Sequence, residues 1–245
     1  MILERPGALS VAARPREPRQ PPSDAGFKQA TRVQESLLAP LERRCLRWLA
    51  SRMPASIGPD TLTLLGLFAM VMGGLSYALA KQAPLWLWAV NFWLAVNWFG
   101  DSLDGTLARY RDRQRPRYGY YVDHMIDAVG SLLLIGGLGL SGLITERVAM
   151  GVLAGFLLLM INSYLAAHTI ERFNVSFFKF SPTEMRILLA IGNAYAYRKP
   201  YVTFLGARHL FFDVGCVIAI IGMALFLIVS VAINTVTLYR IERLE

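Results

Sequence analysis

The sequence has few cysteines, few histidines and few charged residues for its length. Two cysteines among 245 residues, Cys45 and Cys216, are too few for a disulfide framework, and they indicate no redox compartment. No zinc signature occurs, and neither does a glycine-rich phosphate loop of the Walker or Rossmann type. Charged residues make up 17% of the chain, below the ~25% of a typical soluble domain. These absences argue against a disulfide-stabilised scaffold, a P-loop enzyme and an ordinary soluble domain.

Apolar residues dominate the chain instead. They make up 55% of it, and the mean hydropathy is +0.42. Several segments approach the ~20 apolar residues that a helix needs to cross a bilayer. We predict an all-α integral membrane protein with six transmembrane helices, near 61–80, 85–107, 119–143, 147–171, 182–205 and 211–239. The fifth segment is the weakest, because it contains Glu184, Arg186 and Asn193.

The region before the first segment divides into two parts. Residues 1–30 are rich in proline and arginine and lack the apolar core of a signal peptide, which predicts a disordered cytosolic tail. Residues 31–53 place apolar side chains at helical spacing with arginines between them. This pattern predicts an amphipathic helix on the membrane surface, bent near Pro40, although a soluble cap packed on the membrane domain is the alternative. The membrane domain itself then comprises residues 54–245.

Basic residues give the chain a net charge of +8, and their distribution is uneven. With six alternating spans, one side of the membrane carries twenty Lys and Arg residues and the other side five. The positive-inside rule therefore predicts that both termini and the stretch 100–127 face the cytosol. No basic platform with interleaved aromatic residues occurs, so anionic lipid headgroups are favoured over nucleic acid as the partner. The Ala- and Arg-rich composition favours a bacterial cytoplasmic membrane.

The stretch 100–127, "GDSLDGTLARYRDRQRPRYGYYVDHMID", places four aspartates at the ends of two apolar segments. In its first half, five residues share one helical face: Asp101, Asp104, Gly105, Ala108 and Arg109. In its second half, three residues recur at i, i+4 and i+8: Gly119, Asp123 and Asp127. Clustered carboxylates repel one another, and divalent cations such as Mg²⁺, Mn²⁺ or Ca²⁺ compensate this charge. The pattern predicts a site for a metal-bound diphosphate, against the alternative of a solvated network with the arginines of 109–117.

This pattern, Asp-x₂-Asp-Gly-x₂-Ala-Arg followed by Gly-x₃-Asp-x₃-Asp, resembles the signature of the CDP-alcohol phosphotransferases, and every signature position is filled. The resemblance implies a six-helix membrane enzyme, usually a homodimer, that uses two divalent cations, Mg²⁺ or Mn²⁺, and releases CMP from a CDP-linked donor. It implies metal ligands at Asp101, Asp104 and Asp123. It implies that Asp127 is the base for the attacking hydroxyl and also touches metal.

The same resemblance implies a nucleotide-binding set. Gly105, Ala108 and Gly119 are expected to pack against the cytidine, with Asp104 beside them and Arg109 near the diphosphate. The run "PDTLTLLG" at 59–66 resembles the Pro-Asn-x-x-Thr-x-x-Gly element of the family, which helps to hold the nucleotide. It adds Thr63 and Asp60 to the set, and Asp60 replaces the commoner asparagine.

Two local features resemble the branch of the family that transfers a phospho-aminoalcohol to diacylglycerol. "YYVDHMIDAVG" places His124 after the third aspartate, where it is expected to assist deprotonation, or else to bond a backbone carbonyl at the membrane rim. "SPTEMR" at 181–186 suggests that Glu184 and Arg186 bind the acceptor or headgroup, or else pair with each other. We therefore expect a CDP-choline- or CDP-ethanolamine-like donor and a diacylglycerol acceptor.

The arginine-rich loop before residue 118 favours a second substrate pair. Its charge suits an anionic acceptor, so the alternative is a CDP-diacylglycerol donor with a polar alcohol such as inositol phosphate, glycerol phosphate or serine. A catalytically inactive, lipid-binding membrane scaffold is the alternative of another class.

Overall fold

The structure, a computed structural model, describes residues 31–33, 38–170, 172–174 and 182–243. The predicted tail 1–30 lies outside the described residues. The described residues are mostly helical. In chain order the described elements are β1 (Thr31–Val33), α1 (Ala39–Arg52), α2 (Pro59–Leu79), α3 (Trp86–Tyr110), α4 (Pro116–Leu140), α5 (Glu146–Thr169), β2 (Arg172–Asn174), α6 (Pro182–Arg198), β3 (Tyr201–Phe204), β4 (Ala207–Leu210) and α7 (Phe211–Ile241).

Among the described residues, four helices are long and apolar enough to cross a bilayer: α2, α4, α5 and α7. Each matches a predicted span to within a few residues at both ends. The helix α3 is lower in hydropathy because it contains Asn91, Asn97 and four tryptophans, and α6 has only 17 residues. The structure thus supports an integral membrane protein, while the spans at α3 and α6 stay predictions.

The polar residues of α3 and α6 are paired within the protein. Asn193 on α6 is fully buried; it accepts a hydrogen bond from the Tyr77 hydroxyl at 2.8 Å and donates one to the Asn91 side-chain oxygen at 2.8 Å. In a lipid environment such groups must find partners inside the protein. This network therefore joins α2, α3 and α6 through the apolar region.

The prediction of a helix over 182–205 is wrong at its C-terminal end. The helix α6 ends at Arg198, and Pro200 follows it. The strands β3 and β4 then pair antiparallel. Their two-residue turn consists of Leu205 and Gly206, with φ of 50° and 79°. Two successive positive φ values are typical of the type I′ hairpin turn.

The predicted amphipathic helix over 31–53 is shorter than expected. The helix α1 begins at Ala39, and Pro40 lies in its first turn, where proline is favoured rather than disruptive. Leu46 and Ala50 are buried in one apolar cluster with Leu62 and with Leu103 of α3. The opposite face exposes the large side chains Leu41 and Trp48. The contact with α3 is therefore clear, whereas a position of α1 on the membrane surface stays a prediction.

Small residues bring α3 and α4 into close contact with α2. A Cβ atom on Gly100 would lie 2.6 Å from the Leu62 carbonyl oxygen and 2.7 Å from the Gly66 nitrogen. A Cβ on Gly137 would overlap the backbone of Gly74. Because α2 and α4 begin at the end of the bundle where α3 finishes, this packing brings the aspartates of α3 and α4 beside the first turns of α2.

Candidate active site

A pocket lies at this end of the bundle, where α2, α3, α4 and α6 meet. Six of the residues that line it were predicted as site residues: Thr63, Asp101, Asp104, Asp123, Asp127 and Arg186. All four signature aspartates therefore face one pocket, although they belong to two helices separated by a loop.

Three of the four aspartates form a compact carboxylate cluster, Asp101, Asp123 and Asp127. One oxygen atom of each residue lies within 4.8 Å of the others. Asp123 and Asp127 are one turn apart on α4, and Asp101 reaches them from α3. Three hard oxygen ligands, all partly buried, fit the divalent cations predicted from the sequence.

Asp104 has a different environment from the carboxylate cluster. The Thr63 hydroxyl donates a 2.5 Å hydrogen bond to its Oδ2, and the Gly105 backbone N–H donates to its Oδ1. Asp104 is therefore held against the first turns of α2. The geometry groups the fourth signature aspartate, Asp127, with the first and third, while metal binding by Asp104 stays a prediction.

Arg186 is the basic side chain that enters the pocket from α6. Its Nη2 donates a 2.5 Å hydrogen bond to Oδ2 of Asp101, and its Nε donates to the Asn97 side-chain oxygen at 2.8 Å. Asn97 is buried and donates to the Gly66 carbonyl at 3.0 Å. The remaining nitrogen, Nη1, is buried and has no hydrogen-bond partner among the described residues. A fixed guanidinium with one nitrogen to spare is suited to a phosphate oxygen.

Glu184 lies on the same helix but contacts the segment before α1. It is buried and accepts a hydrogen bond from the backbone N–H of Leu38 at 3.2 Å. Its neighbour Thr183 donates to Glu42 of α1 at 2.6 Å. The Trp98 indole N–H donates to the same Glu42 oxygen at 2.9 Å. The start of α6 thus binds α1, and a headgroup role for Glu184 stays a prediction.

His124 lies beside the carboxylate cluster in an aromatic environment. Its Nδ1 is 2.5 Å from the Tyr120 carbonyl oxygen, which matches the alternative of a histidine bonded to a backbone carbonyl. The same nitrogen is 4.0 Å from Oδ2 of Asp123. The Tyr164 ring meets the imidazole edge-on, with centroids 4.6 Å apart. A part for His124 in deprotonation stays a prediction.

The remaining residues predicted to bind nucleotide lie at the same end of α2, α3 and α4. Asp60 forms an exposed ion pair with Arg115, and the hydrogen bond from Arg115 to Asp60 raises the pKa of Arg115. Gly105 leaves space for Arg109, whose guanidinium would lie 3.4 Å from a Cβ at that position. Ala108 is half-buried, and Gly119 is exposed with open space around it.

Sequence reasoning missed several residues at or next to the site, among them Asn97, Gly100 and Tyr164. Asn97 lies one helical turn before Asp101, so the helical period carried a signal for it. Gly100 directly precedes Asp101 and permits the contact of α3 with α2. Tyr164 lies on α5, and no local motif connects it with the aspartates; only tertiary structure brings it beside His124.

The profile of the family described as CDP-alcohol phosphatidyltransferase matches residues 57–232, which include every residue that lines the pocket. The chain belongs to this family. The resemblance identified from the sequence is thereby confirmed. Its members are transferases, and the family generally uses divalent metal.

Two relatives in this family have curated functions. The chain is 31% identical over 172 residues to a CDP-diacylglycerol–serine O-phosphatidyltransferase of Encephalitozoon cuniculi, which covers 67% of this chain and 42% of the relative. It is 26% identical over 141 residues to an archaetidylinositol phosphate synthase of Pyrococcus horikoshii, which covers 57% of this chain and 65% of the relative. The chain thus spans less than two thirds of either relative's length.

These relatives bear on two of the predictions. Both favour the alternative of a CDP-diacylglycerol-type donor over the predicted aminoalcohol donor. One relative is eukaryotic and the other archaeal, so they give no support to the predicted bacterial membrane.

Proposed function

We propose that the protein is a CDP-alcohol phosphatidyltransferase that transfers a phosphatidyl group from a CDP-activated lipid to a small polar alcohol. The observation that carries this proposal is the carboxylate cluster with Arg186 hydrogen-bonded to one of its members. The carboxylates of the cluster are suited to bind the divalent cations that accompany a diphosphate. Nη1 of Arg186, which has no partner among the described residues, is suited to donate a hydrogen bond to a phosphate oxygen.

The transfer makes one bond and breaks one bond. The hydroxyl oxygen of the acceptor attacks the β-phosphorus of the donor, and Asp127 accepts the hydroxyl proton. The bond from that phosphorus to the bridging oxygen breaks, and CMP leaves with its electron pair. The products are a phosphodiester lipid and CMP.

Divalent cations held by Asp101, Asp123 and Asp127 would neutralise the diphosphate and stabilise the charge on CMP. The protein's own groups orient the substrates around them. Arg186 is fixed by Asp101 and Asn97, so its Nη1 donates to a phosphate oxygen. Thr63 holds Asp104 in place at the start of α2, where the donor nucleotide is proposed to bind.

The choice of a lipid donor rests on the relatives and on two side-chain contacts. The aminoalcohol prediction depended on His124 and Glu184. In the structure His124 lies against the Tyr120 carbonyl, and Glu184 accepts from the Leu38 N–H. Both curated relatives are phosphatidyltransferases of this family. We therefore propose CDP-diacylglycerol or a similar CDP-linked lipid as the donor, and an anionic or zwitterionic alcohol as the acceptor.

Location and assembly remain part of the proposal. The apolar helices α2, α4, α5 and α7 support a position in the membrane. The uneven distribution of Lys and Arg supports cytosolic termini and a cytosolic pocket. The family resemblance supports a homodimer.

CMP release from two sets of substrates tests the proposal. Purified protein in detergent–lipid micelles with Mg²⁺ or Mn²⁺ receives CDP-diacylglycerol with inositol phosphate, glycerol phosphate or serine. A parallel set contains CDP-choline or CDP-ethanolamine with diacylglycerol. We expect release in the first set alone. Release in the second set alone would overturn the donor assignment, and no release in either, with nucleotide still bound, would support the inactive scaffold.

A further inference from the structure

Tyr164 on α5 has a buried hydroxyl, and its ring packs against His124, the residue that follows Asp123 of the carboxylate cluster. Its oxygen has no hydrogen-bond partner among the described residues. The residue belongs to neither signature motif.

Across the part of the chain that the structure describes, two buried side-chain polar atoms lack a partner. They are the Tyr164 hydroxyl oxygen and Nη1 of Arg186. Arg186 hydrogen-bonds Asp101 of the carboxylate cluster, and the Tyr164 ring packs on His124, the residue after Asp123. Buried polar groups are almost always hydrogen-bonded in proteins, so an exception calls for an explanation. Two exceptions next to the carboxylate cluster indicate that a polar molecule completes the site.

Contacts with His124 hold the Tyr164 ring in position. The imidazole meets the phenol ring at an interplanar angle of 78°. The imidazole itself is anchored by the contact of Nδ1 with the Tyr120 carbonyl and by the Tyr120 ring, whose centroid is 4.1 Å away. A hydroxyl on a ring packed in this way is presented in one direction, as a positioning group must be.

We infer that Tyr164 is a positioning residue for the acceptor alcohol and that its hydroxyl hydrogen-bonds the oxygen that Asp127 deprotonates. The inference rests on the proposed function. An alcohol oxygen carries one proton and two lone pairs. The proton passes to Asp127, one lone pair forms the bond to phosphorus, and the other accepts the hydrogen bond from Tyr164. Tyr164 keeps its own proton throughout, so the bonds made and broken are those of the proposed transfer.

The inference assigns Arg186 and Tyr164 to different substrates. Arg186 on α6 would bond a phosphate oxygen of the donor, and Tyr164 on α5 would bond the acceptor. Loss of the Arg186 contact is therefore expected to raise the KM for the donor, and loss of the Tyr164 contact is expected to raise the KM for the acceptor. That difference separates a substrate contact from a purely structural role.

The Tyr164→Phe variant tests this inference. It removes the hydroxyl and keeps the ring that packs against His124. With CDP-diacylglycerol as donor, we expect the KM for the acceptor to rise about tenfold, the effect of one lost hydrogen bond, while the KM for the donor stays unchanged. Tyr195→Phe is the matched control, because Tyr195 is 41% exposed and packs on Phe211. An unchanged acceptor KM, or equal rises for both substrates, would overturn the inference.

Thermal-shift titration gives a second readout that does not need turnover. The probes are serine, glycerol 3-phosphate and inositol phosphate, each added to protein saturated with CDP and Mg²⁺. We expect at least one probe to raise the melting temperature of the wild type and of Tyr195→Phe more than that of Tyr164→Phe. If the wild type releases no CMP but this difference is present, the proposed function fails and the binding role of Tyr164 stands. Equal shifts in all three proteins would overturn that role.

Discussion

Arg186 donates a 2.5 Å hydrogen bond from Nη2 to Oδ2 of Asp101, a residue 85 positions earlier in the chain. The same guanidinium donates from Nε to the side-chain oxygen of Asn97, one helical turn before Asp101. A planar guanidinium presents its donors in a rigid fork, which suits two acceptors on one helix face. The pair therefore fixes α6 against α3 and brings a permanent positive charge to the carboxylate cluster.

Replacement of Arg186 by Lys should lower kcat/KM for CMP release by about tenfold or more, because an ammonium group cannot reproduce the rigid fork of donors. Arg208→Lys is the matched control, since Arg208 lies over the Tyr201 ring in the hairpin, at 4.2 Å from its centroid. The measurement is steady-state kinetics of both variants against the wild type. Wild-type kinetics in Arg186→Lys would show that the guanidinium fork has no part in transfer.

The Thr63 hydroxyl orients Asp104, and Thr63→Val removes this hydrogen bond while preserving the shape of the side chain. We expect the KM for the CDP-linked donor to rise about tenfold. Thr63→Ser should restore the wild-type KM for the donor, because serine retains the hydroxyl. Thr61→Val, an exposed position two residues away, should have no effect. If Thr63→Val and Thr61→Val give the same KM for the donor, the role of Asp104 does not depend on its hydrogen bond with Thr63.

Removal of divalent cations should abolish CMP release, because the carboxylates would then face the diphosphate without compensating charge. Dialysis against a chelator, followed by addition of Mg²⁺ or Mn²⁺, measures loss and recovery. Direct Mn²⁺ binding, followed by electron paramagnetic resonance, should weaken about tenfold or more when Asp123 is replaced by Asn. Full activity after exhaustive chelation would contradict the metal-dependent account.

The close contact between α2 and α4 leaves no room for a side chain at Gly137, where a Cβ would overlap the Gly74 backbone. Gly137→Ala should destabilise the protein by about 1–3 kcal/mol, as overpacking does in cores. The adjacent Gly136 has open space around it, so Gly136→Ala should be neutral or slightly stabilising. Melting temperatures in detergent measure both variants, and equal values would contradict the close contact of these helices.

The site was largely predictable from the sequence because its main features are local. Asp123 and Asp127 are one helical turn apart, so the period of the helix alone places them on one face. The chemistry of clustered carboxylates then indicates a divalent cation. The family pattern joined Asp101 and Asp104 to them across the loop before α4.

The parts that could not be predicted depend on tertiary contacts. No local pattern indicates that Glu184 bonds the Leu38 N–H, 146 positions away, or that Tyr164 packs on His124. The end of α6 was missed because a run of apolar and aromatic residues continues past Pro200 into the hairpin. The start of α1 was misplaced because Pro40 was interpreted as a bend, whereas in the structure it lies in the first turn.

Asp127 is the proposed base, and its replacement by Asn tests the central claim most directly. The matched control is Asp112→Asn, because Asp112 is exposed in the loop between α3 and α4 with a φ of 53°, a conformation that asparagine adopts readily. CMP release and binding of the CDP-linked donor are measured for both variants and the wild type.

We predict that Asp127→Asn lowers CMP release by about 100-fold or more, the usual contribution of a general base. Donor binding should persist, and Asp112→Asn should match the wild type in both measurements. Wild-type CMP release in Asp127→Asn would contradict the account.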